Sequence, residues 1–274
     1  MDTKIKNIIP YIVVLSVTLL LIVVYLCSSH MKMERKSYIF QRVFPEKGVI
    51  RIIRSEKGKF ENKKGCILLP GGCGYVSNDS SIALAAVIHS DSTRLSCIGF
   101  YIFNPSSKEI YKDSCIKTFD INDKYQNSAQ RQLAFNGTFH ESDEYITYTC
   151  HYIPDIYVFD RKGKFISHLQ TMDKTPLPSV IKYGDYYILD RSKAHTTNVA
   201  SVVCKGKLYV MSLLTKRNVG KYVLDCYDIS NKSYLYSSYV ENAAHEDNYL
   251  VNQFNLTGNN LTITTFDCKT IVKL

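Results

Sequence analysis

Residues Ile8 to Cys27, IIPYIVVLSVTLLLIVVYLC, run for twenty positions without a charged side chain. No other feature narrows the possible folds as much. At about 1.5 Å per residue, a helix of that length covers the roughly 30 Å hydrocarbon core of a bilayer. The run exceeds a secretory signal core of about 7–15 residues. It ends in Val24-Tyr25-Leu26-Cys27-Ser28-Ser29, with no A-x-A-like cleavage site. We therefore expect a short tail over 1–7 and a transmembrane signal anchor over 8–27. Residues 28–64 then form a basic juxtamembrane linker with possible first strands, and 65–274 a folded domain outside the bilayer.

Lys4 and Lys6 precede the run, whereas Lys32, Arg35, Lys36 and Arg42 follow it. Counted alone, these cations favour a cytoplasmic domain. Two features weigh the other way. A seven-residue tail before a long anchor commonly stays inside. Eight of the nine cysteines lie in the domain (66, 73, 97, 115, 150, 204, 226 and 268), an even number compatible with disulfides in an oxidising compartment. The expectation is a single-pass protein with an extracytoplasmic domain, periplasmic or at the cell surface. Cys27 also resembles the lipidated cysteine of bacterial lipoproteins, although the large Leu26 departs from the small residue usual before it.

The net charge of +9 is unevenly placed. Residues 32–64 hold eleven Lys/Arg against four Glu, while residues 65–274 hold twenty-one against twenty Asp/Glu. The domain proper is nearly neutral, which argues against a nucleic-acid partner. The basic stretch reads as a solvated linker or, next to anionic lipid, as a head-group contact.

Beyond the anchor, helical periodicity gives way to short apolar runs between turn residues, the pattern of β-strands. The runs are Ile82–Ile88, Cys97–Phe103, Tyr145–Cys150, Ile156–Phe159, Tyr186–Leu189, Ala200–Cys204, Leu208–Met211 and Leu261–Thr265. Turns such as Lys162-Gly163-Lys164, Tyr183-Gly184-Asp185, Lys205-Gly206-Lys207 and Gly258-Asn259-Asn260 separate them. The polar stretch from about Asp120 to Arg131 reads as a longer loop or short helix. Aligning the turns exposes a repeat. Phe103-Asn104 with Lys108, Phe159-Asp160 with Lys164, and Tyr227-Asp228 with Lys232 share one form, and Ser55 to Phe60 is a weaker copy. The aromatic ends a strand in the core, the Asn or Asp caps the turn, and the Lys opens the return strand.

Repeated meanders of this kind predict an all-β domain, a β-propeller of about five to six blades, with a β-sandwich as the alternative. Tyr157–Ile166 resembles the outer hairpin of a blade in six-bladed propellers of the NHL or TolB-like kind, found in bacterial envelope proteins, and Phe254–Ile263 resembles a blade-final segment. The resemblance covers about 80–274, and 37–79 fits it poorly.

Motifs that carry chemistry are scarce. Cys66 and Cys73, with a Gly71-Gly72 turn between them, are spaced too widely for a usual zinc pair and read as a disulfide or two buried thiols. His140-Glu141 and His245-Glu246 lack the second histidine of a zincin helix and read as surface or loop residues. Pro70-Gly71-Gly72-Cys73-Gly74 lacks a following Lys-Ser/Thr, so it reads as a tight loop between strands. No G-x-S-x-G elbow occurs. Asp143-Glu144, and Asp185 with Asp190, read as turn caps or solvated carboxylates. Asn78, Asn136, Asn231, Asn255 and Asn260 each open an N-x-Ser/Thr sequon. No catalytic, cofactor-binding or metal residues are assigned, and no cofactor is expected.

The expected function is a membrane-anchored propeller that binds or scaffolds a protein, peptide or glycan. Two alternatives stay open. One is a structural envelope protein or viral type II surface glycoprotein; the other is a propeller-type hydrolase or lyase.

Overall fold

The computed structural model describes residues 16–22, 42–44, 51–57, 66–69, 72–77, 79–90, 96–107, 109–121, 128–173, 175–190, 193–212, 221–241, 251–265 and 268–274. The chain divides into two compact units, Met1–Ile39 and Phe40–Leu274. In the first, residues 16–22 are helical with exposed side chains. Among the described residues no helix is long and apolar enough to cross a membrane. The rest of the 8–27 run lies outside them.

The second unit is all-β, built of antiparallel sheets. Its first strand, β1 (Arg51–Lys57), joins the last three strands of the chain rather than the strand that follows it. The next five make one sheet: β2 (Cys66–Leu69), β3 (Gly72–Val76), β4 (Ala83–Ser90), β5 (Ser96–Asn104) and β6 (Glu109–Ile121). A helix, Ser128–Ala134, occupies the polar stretch where a loop or short helix is expected. A second sheet holds β7 (Gly137–Glu141), β8 (Tyr145–Cys150), β9 (Asp155–Asp160) and β10 (Phe165–Gln170). Among the described residues, the hairpin of β11 (Val180–Tyr183) and β12 (Tyr186–Leu189) pairs only with itself. A further sheet holds β13 (Asn198–Cys204), β14 (Lys207–Ser212), β15 (Lys221–Asp228) and β16 (Ser233–Glu241). The last comprises β17 (Val251–Thr257), β18 (Asn260–Thr265) and β19 (Cys268–Lys273), with β1 added beside β19. All eight apolar runs read from the sequence are strands.

Strand side chains alternate between the two faces of a sheet. In β9, Tyr157 and Phe159 join a core shared with the first sheet, where Phe100 lies 4.8 and 4.9 Å from their ring centroids. Ile156 and Val158 point the other way and pack with Leu208 and Val210 of β14. On the other face of β14, Tyr209 and Met211 pack with Phe254, Leu261 and Ile263 of the last sheet. The middle strands of both sheets are thus apolar on both faces because each sheet has a neighbour on either side. That is why IYVF and LYVM show no polar alternation. The sheets converge along edge strands: β7 lies against β3, β13 and β17, and β13 against β17.

The repeated turn forms as its chemistry requires. Phe103, Phe159 and Tyr227 are buried at the ends of β5, β9 and β15. Asn104 Oδ1 accepts the Ser106 N–H at 2.9 Å, Asp160 Oδ1 accepts those of Lys162 and Lys164 at 2.9 Å each, and Asp228 Oδ1 accepts that of Asn231 at 2.8 Å. Each of these turns joins the last two strands of its sheet. In the sheet of β17–β19 the corresponding position beside β19 is taken by β1, which arrives from the other end of the chain. The weaker copy at 55–60 begins in β1, and its 58–60 lie outside the described residues.

The glycine-rich segment expected as a loop is partly strand, because Gly72 to Gly74 open β3. The strands run so close there that a Cβ on Gly72 would lie 1.8 Å from the Ala86 carbonyl oxygen. Gly72 is needed for close approach rather than for a turn.

Candidate functional site

A buried polar cluster begins before β1. Residues 42–44 lie along β16: the Ser237 N–H donates to the Val43 carbonyl at 2.8 Å, and the Val43 N–H donates to the Tyr234 hydroxyl at 2.9 Å. Phe44 stacks on Tyr239 with ring centroids 4.3 Å apart and planes 3° from parallel. From this strap the Arg42 side chain turns inward until it is 3% exposed. Its Nε and one Nη donate to the two oxygens of Asp225, on β15, at 2.9 Å each. The same Nη donates to Asp173, in the segment after β10, and to Ser212 Oγ at 2.9 Å.

A second ring of hydroxyls holds the carboxylates. Ser212 donates to Asp173 at 2.7 Å, Ser237 donates to Asp225, and Tyr234 shares a 2.7 Å hydrogen bond with Ser237. Burial alone would pull the Arg42 pKa down. Hydrogen bonds and charge from Asp225 and then Asp173 outweigh that effect and hold it above its ordinary value. Burial raises the Asp173 pKa, against the opposing pull of Arg42 and Ser212. One Asp173 oxygen, Oδ1, has no hydrogen-bond partner although it is buried. That orphaned oxygen is buried without the hydrogen bond that would offset its loss of water.

A second polar cluster lies at the convergence of the sheets. Thr138 and His140 stand on β7, and His151 follows β8. The Thr138 hydroxyl lies 2.9 Å from His140 Nε2 and 3.1 Å from His151 Nε2. It has one proton to give, so one imidazole accepts and the other donates, which suits two neutral rings. Burial, followed by the charge that His151 would carry, pushes His140 down to about 3, against a backbone hydrogen bond at Val199. Burial also pushes His151 down to about 4. Nearby, Thr147 donates to the Ser201 carbonyl at 2.6 Å, and the Thr149 and Ser201 hydroxyls lie 2.6 Å apart. Small hydroxyls thus join β8 to β13 across the seam between two sheets.

Several expectations change here. His140, read as a surface or loop residue, is buried in strand β7, where desolvation keeps its ring neutral. Its neighbour Glu141 pairs with Arg161 at 3.3 Å. Arg42, counted with the juxtamembrane cations, is withdrawn into the domain. Cys73 is buried, as are Cys150, Cys204, Cys226 and Cys268. Burial drives the Cys150 thiol well above its ordinary pKa, with the Asp155 charge adding to the effect. Asp143 is exposed and accepts the Gly258 N–H; Asp185 sits in the exposed hairpin turn. Asn136, Asn231 and Asn260 are exposed sequon positions. Among the described residues no three His, Cys, Asp or Glu side chains cluster as metal ligands. His245 and Asn78 lie outside the described residues.

No protein-family model matches the chain, and comparison with curated proteins gives no match. Among solved structures, the chain is similar to one in the BBS1N–ARL6DN complex, with 11% identity, 81% of this chain and 66% of that one covered, and a TM-score of 0.28. It is also similar to dipeptidyl peptidase 4 of Porphyromonas gingivalis, with 8% identity, 76% and 37% coverage, and a TM-score of 0.29. A structural genomics protein of unknown function from Bacteroides thetaiotaomicron aligns at 11% identity, with 80% and 72% coverage and a TM-score of 0.27. The chain therefore spans less than two thirds of the first two proteins. Likenesses at this level carry no argument about function.

The clamp and the histidine pair each make a prediction. Arg42→Ala strands two buried carboxylates and should cost about 3–5 kcal/mol in urea unfolding. Arg42→Lys, which cannot reproduce the bidentate contact, should recover only part of it. For the histidines, folded pKa values of about 3 and about 4 lie below the unfolded value of about 6.5. The unfolded chain then binds more protons as pH falls, so their contribution is complete above about pH 6.5 and is lost toward pH 4. The urea midpoint should drop between pH 7 and pH 5, and a His140→Gln, His151→Gln double variant should drop less.

Proposed function

We propose that residues 40–274 form a β-propeller held at a membrane by residues 8–27, and that it serves as a binding or scaffold module for a protein, peptide or glycan. The four larger sheets are its blades, fewer than the five or six expected from the repeat, and the β11–β12 hairpin stands apart from them. One observation carries the fold reading: β9 and β14 bury both faces against different neighbours. A two-layer sandwich gives each sheet one buried and one solvated face. A stack of blades gives its sheets two buried faces. Pairing β1 with β19 supports the same reading, because it ties the start of the domain to its end in one sheet and removes an open edge from β19.

The binding role rests on architecture and on the clamp. Sheets that meet along edge strands bring loops from several sheets near one another, where a ligand can meet more than one sheet at once. Arg42 fixes the start of the strap, with fourteen residues between it and the apolar run. The anchor itself rests on twenty uncharged residues long enough to span the hydrocarbon core.

The experiment is membrane extraction followed by ligand screening. The full chain should stay in the membrane pellet through alkaline carbonate and high salt, whereas a chain starting at residue 40 should be soluble and unfold cooperatively. That soluble domain, passed over glycan and peptide arrays, should bind one class saturably. Release of the full chain by carbonate would remove the anchor. A soluble domain with no saturable ligand would favour a purely structural role.

A further inference from the structure

The hairpin β11–β12 presents an apolar face that stays exposed and that pairs with no other strand among the described residues. Its register pairs Ile181 with Ile188 and Tyr183 with Tyr186 across a two-residue Gly184-Asp185 turn. Those four side chains therefore share one face. They are 46%, 43%, 72% and 76% exposed respectively. An isolated two-stranded hairpin is marginal in water, and one that exposes two isoleucines and two tyrosines in register costs solvation as well. Its root is nevertheless well held. The Asp190 N–H donates to the Ser179 carbonyl at 2.9 Å, and buried Gln130 donates to the Pro178 carbonyl at 3.0 Å. The hairpin is a projecting element, fixed at its base and uncovered at its tip.

We propose that this hairpin seats in the interfacial layer of a lipid bilayer; the inference rests on the reading of residues 8–27 as a membrane anchor. Two things select a bilayer as the occupant. The first is chain length. Cys27 and Arg42 are separated by fourteen residues, which span at most about 50 Å when fully extended, so the bilayer that holds the apolar run lies within that reach of the clamp. Asp173, which holds Arg42, precedes Ser179 at the hairpin root by only six residues of the same segment. The second is side-chain chemistry. Tyrosine carries an apolar ring with a polar tip and favours the membrane–water interface, and isoleucine inserts beside it. Tyr187 and Lys182 stand on the opposite face, where a ring hydroxyl and an ammonium can stay among head groups or water. The clamp and the hairpin together form a two-point attachment: the strap sets the distance to the bilayer, and the hairpin sets the orientation of the domain.

The chain contains no tryptophan, so Tyr186→Trp installs a single indole reporter at a position already exposed. The full-length variant is reconstituted into phosphatidylcholine–phosphatidylglycerol vesicles, with or without acyl-chain bromination, and floated on a density gradient. The expected result is co-flotation, an indole emission shifted to the blue, and loss of most of its intensity in brominated vesicles. Flotation with water-like, unquenched emission overturns the hairpin contact while leaving the anchor intact. A blue shift that depends on protein density and ignores bromine also overturns it, because a second copy of the chain then covers the face. Failure to float removes the anchor and, with it, this inference.

Discussion

A guanidinium taken out of water must meet anions in exchange, and Arg42 meets two. The consequence reaches beyond one ion pair. Asp225 belongs to β15, Ser212 to β14, Ser237 to β16, and Asp173 to the segment that leaves β10. One side chain from outside the strands thereby bonds to two strands of one sheet and the exit from another, and reaches a third strand through Asp225. The chain then continues to β1, which completes the last sheet beside β19. The N-terminal part of this unit is thus structural: its buried charge and its strand are contributed to sheets whose other members lie more than a hundred residues away. Apolar burial supplies most of the driving force in such a domain, and the clamp selects one arrangement of the strap against the others.

The same logic explains the polar seam at the convergence of the sheets. Farther out, the faces are separated by large side chains such as Phe100, Tyr157 and Phe159. Where β8 meets β13, the Thr147 hydroxyl meets the Ser201 carbonyl and the Thr149 and Ser201 hydroxyls meet each other, all at hydrogen-bond distance. Neutral His140 and His151 share one threonine hydroxyl there. Burial favours the neutral form of both rings, so the seam is built for neutral pH.

Local features of this fold were legible in the sequence because they depend on neighbours in sequence. The capped turns at Asn104, Asp160 and Asp228 need only an Asx side chain and the N–H groups two to four residues on. The apolar runs of β4, β5, β8, β9, β12, β13, β14 and β18 mark strands whatever lies opposite. The rest was set by partners far along the chain. Nothing within Arg51–Lys57 specifies β19, and nothing around Arg42 distinguishes it from the other juxtamembrane cations; its role exists only once Asp173 and Asp225 are brought together. His140 was misjudged for the same reason, since its burial comes from β13 and β17. The glycines of β3 signalled a turn because close backbone approach and turn formation call for the same residue.

Whether the strap and β1 belong to the cooperative fold is best measured by native-state hydrogen exchange on the full chain. If they do, the Val43 amide and the paired amides of β1 exchange in the slowest class, with the opening free energy of β18 and a shared dependence on denaturant. Exchange of those amides orders of magnitude faster than β18, with no denaturant dependence, would mean that the strap and β1 detach independently, and that the clamp is not what the remainder of the structure depends on.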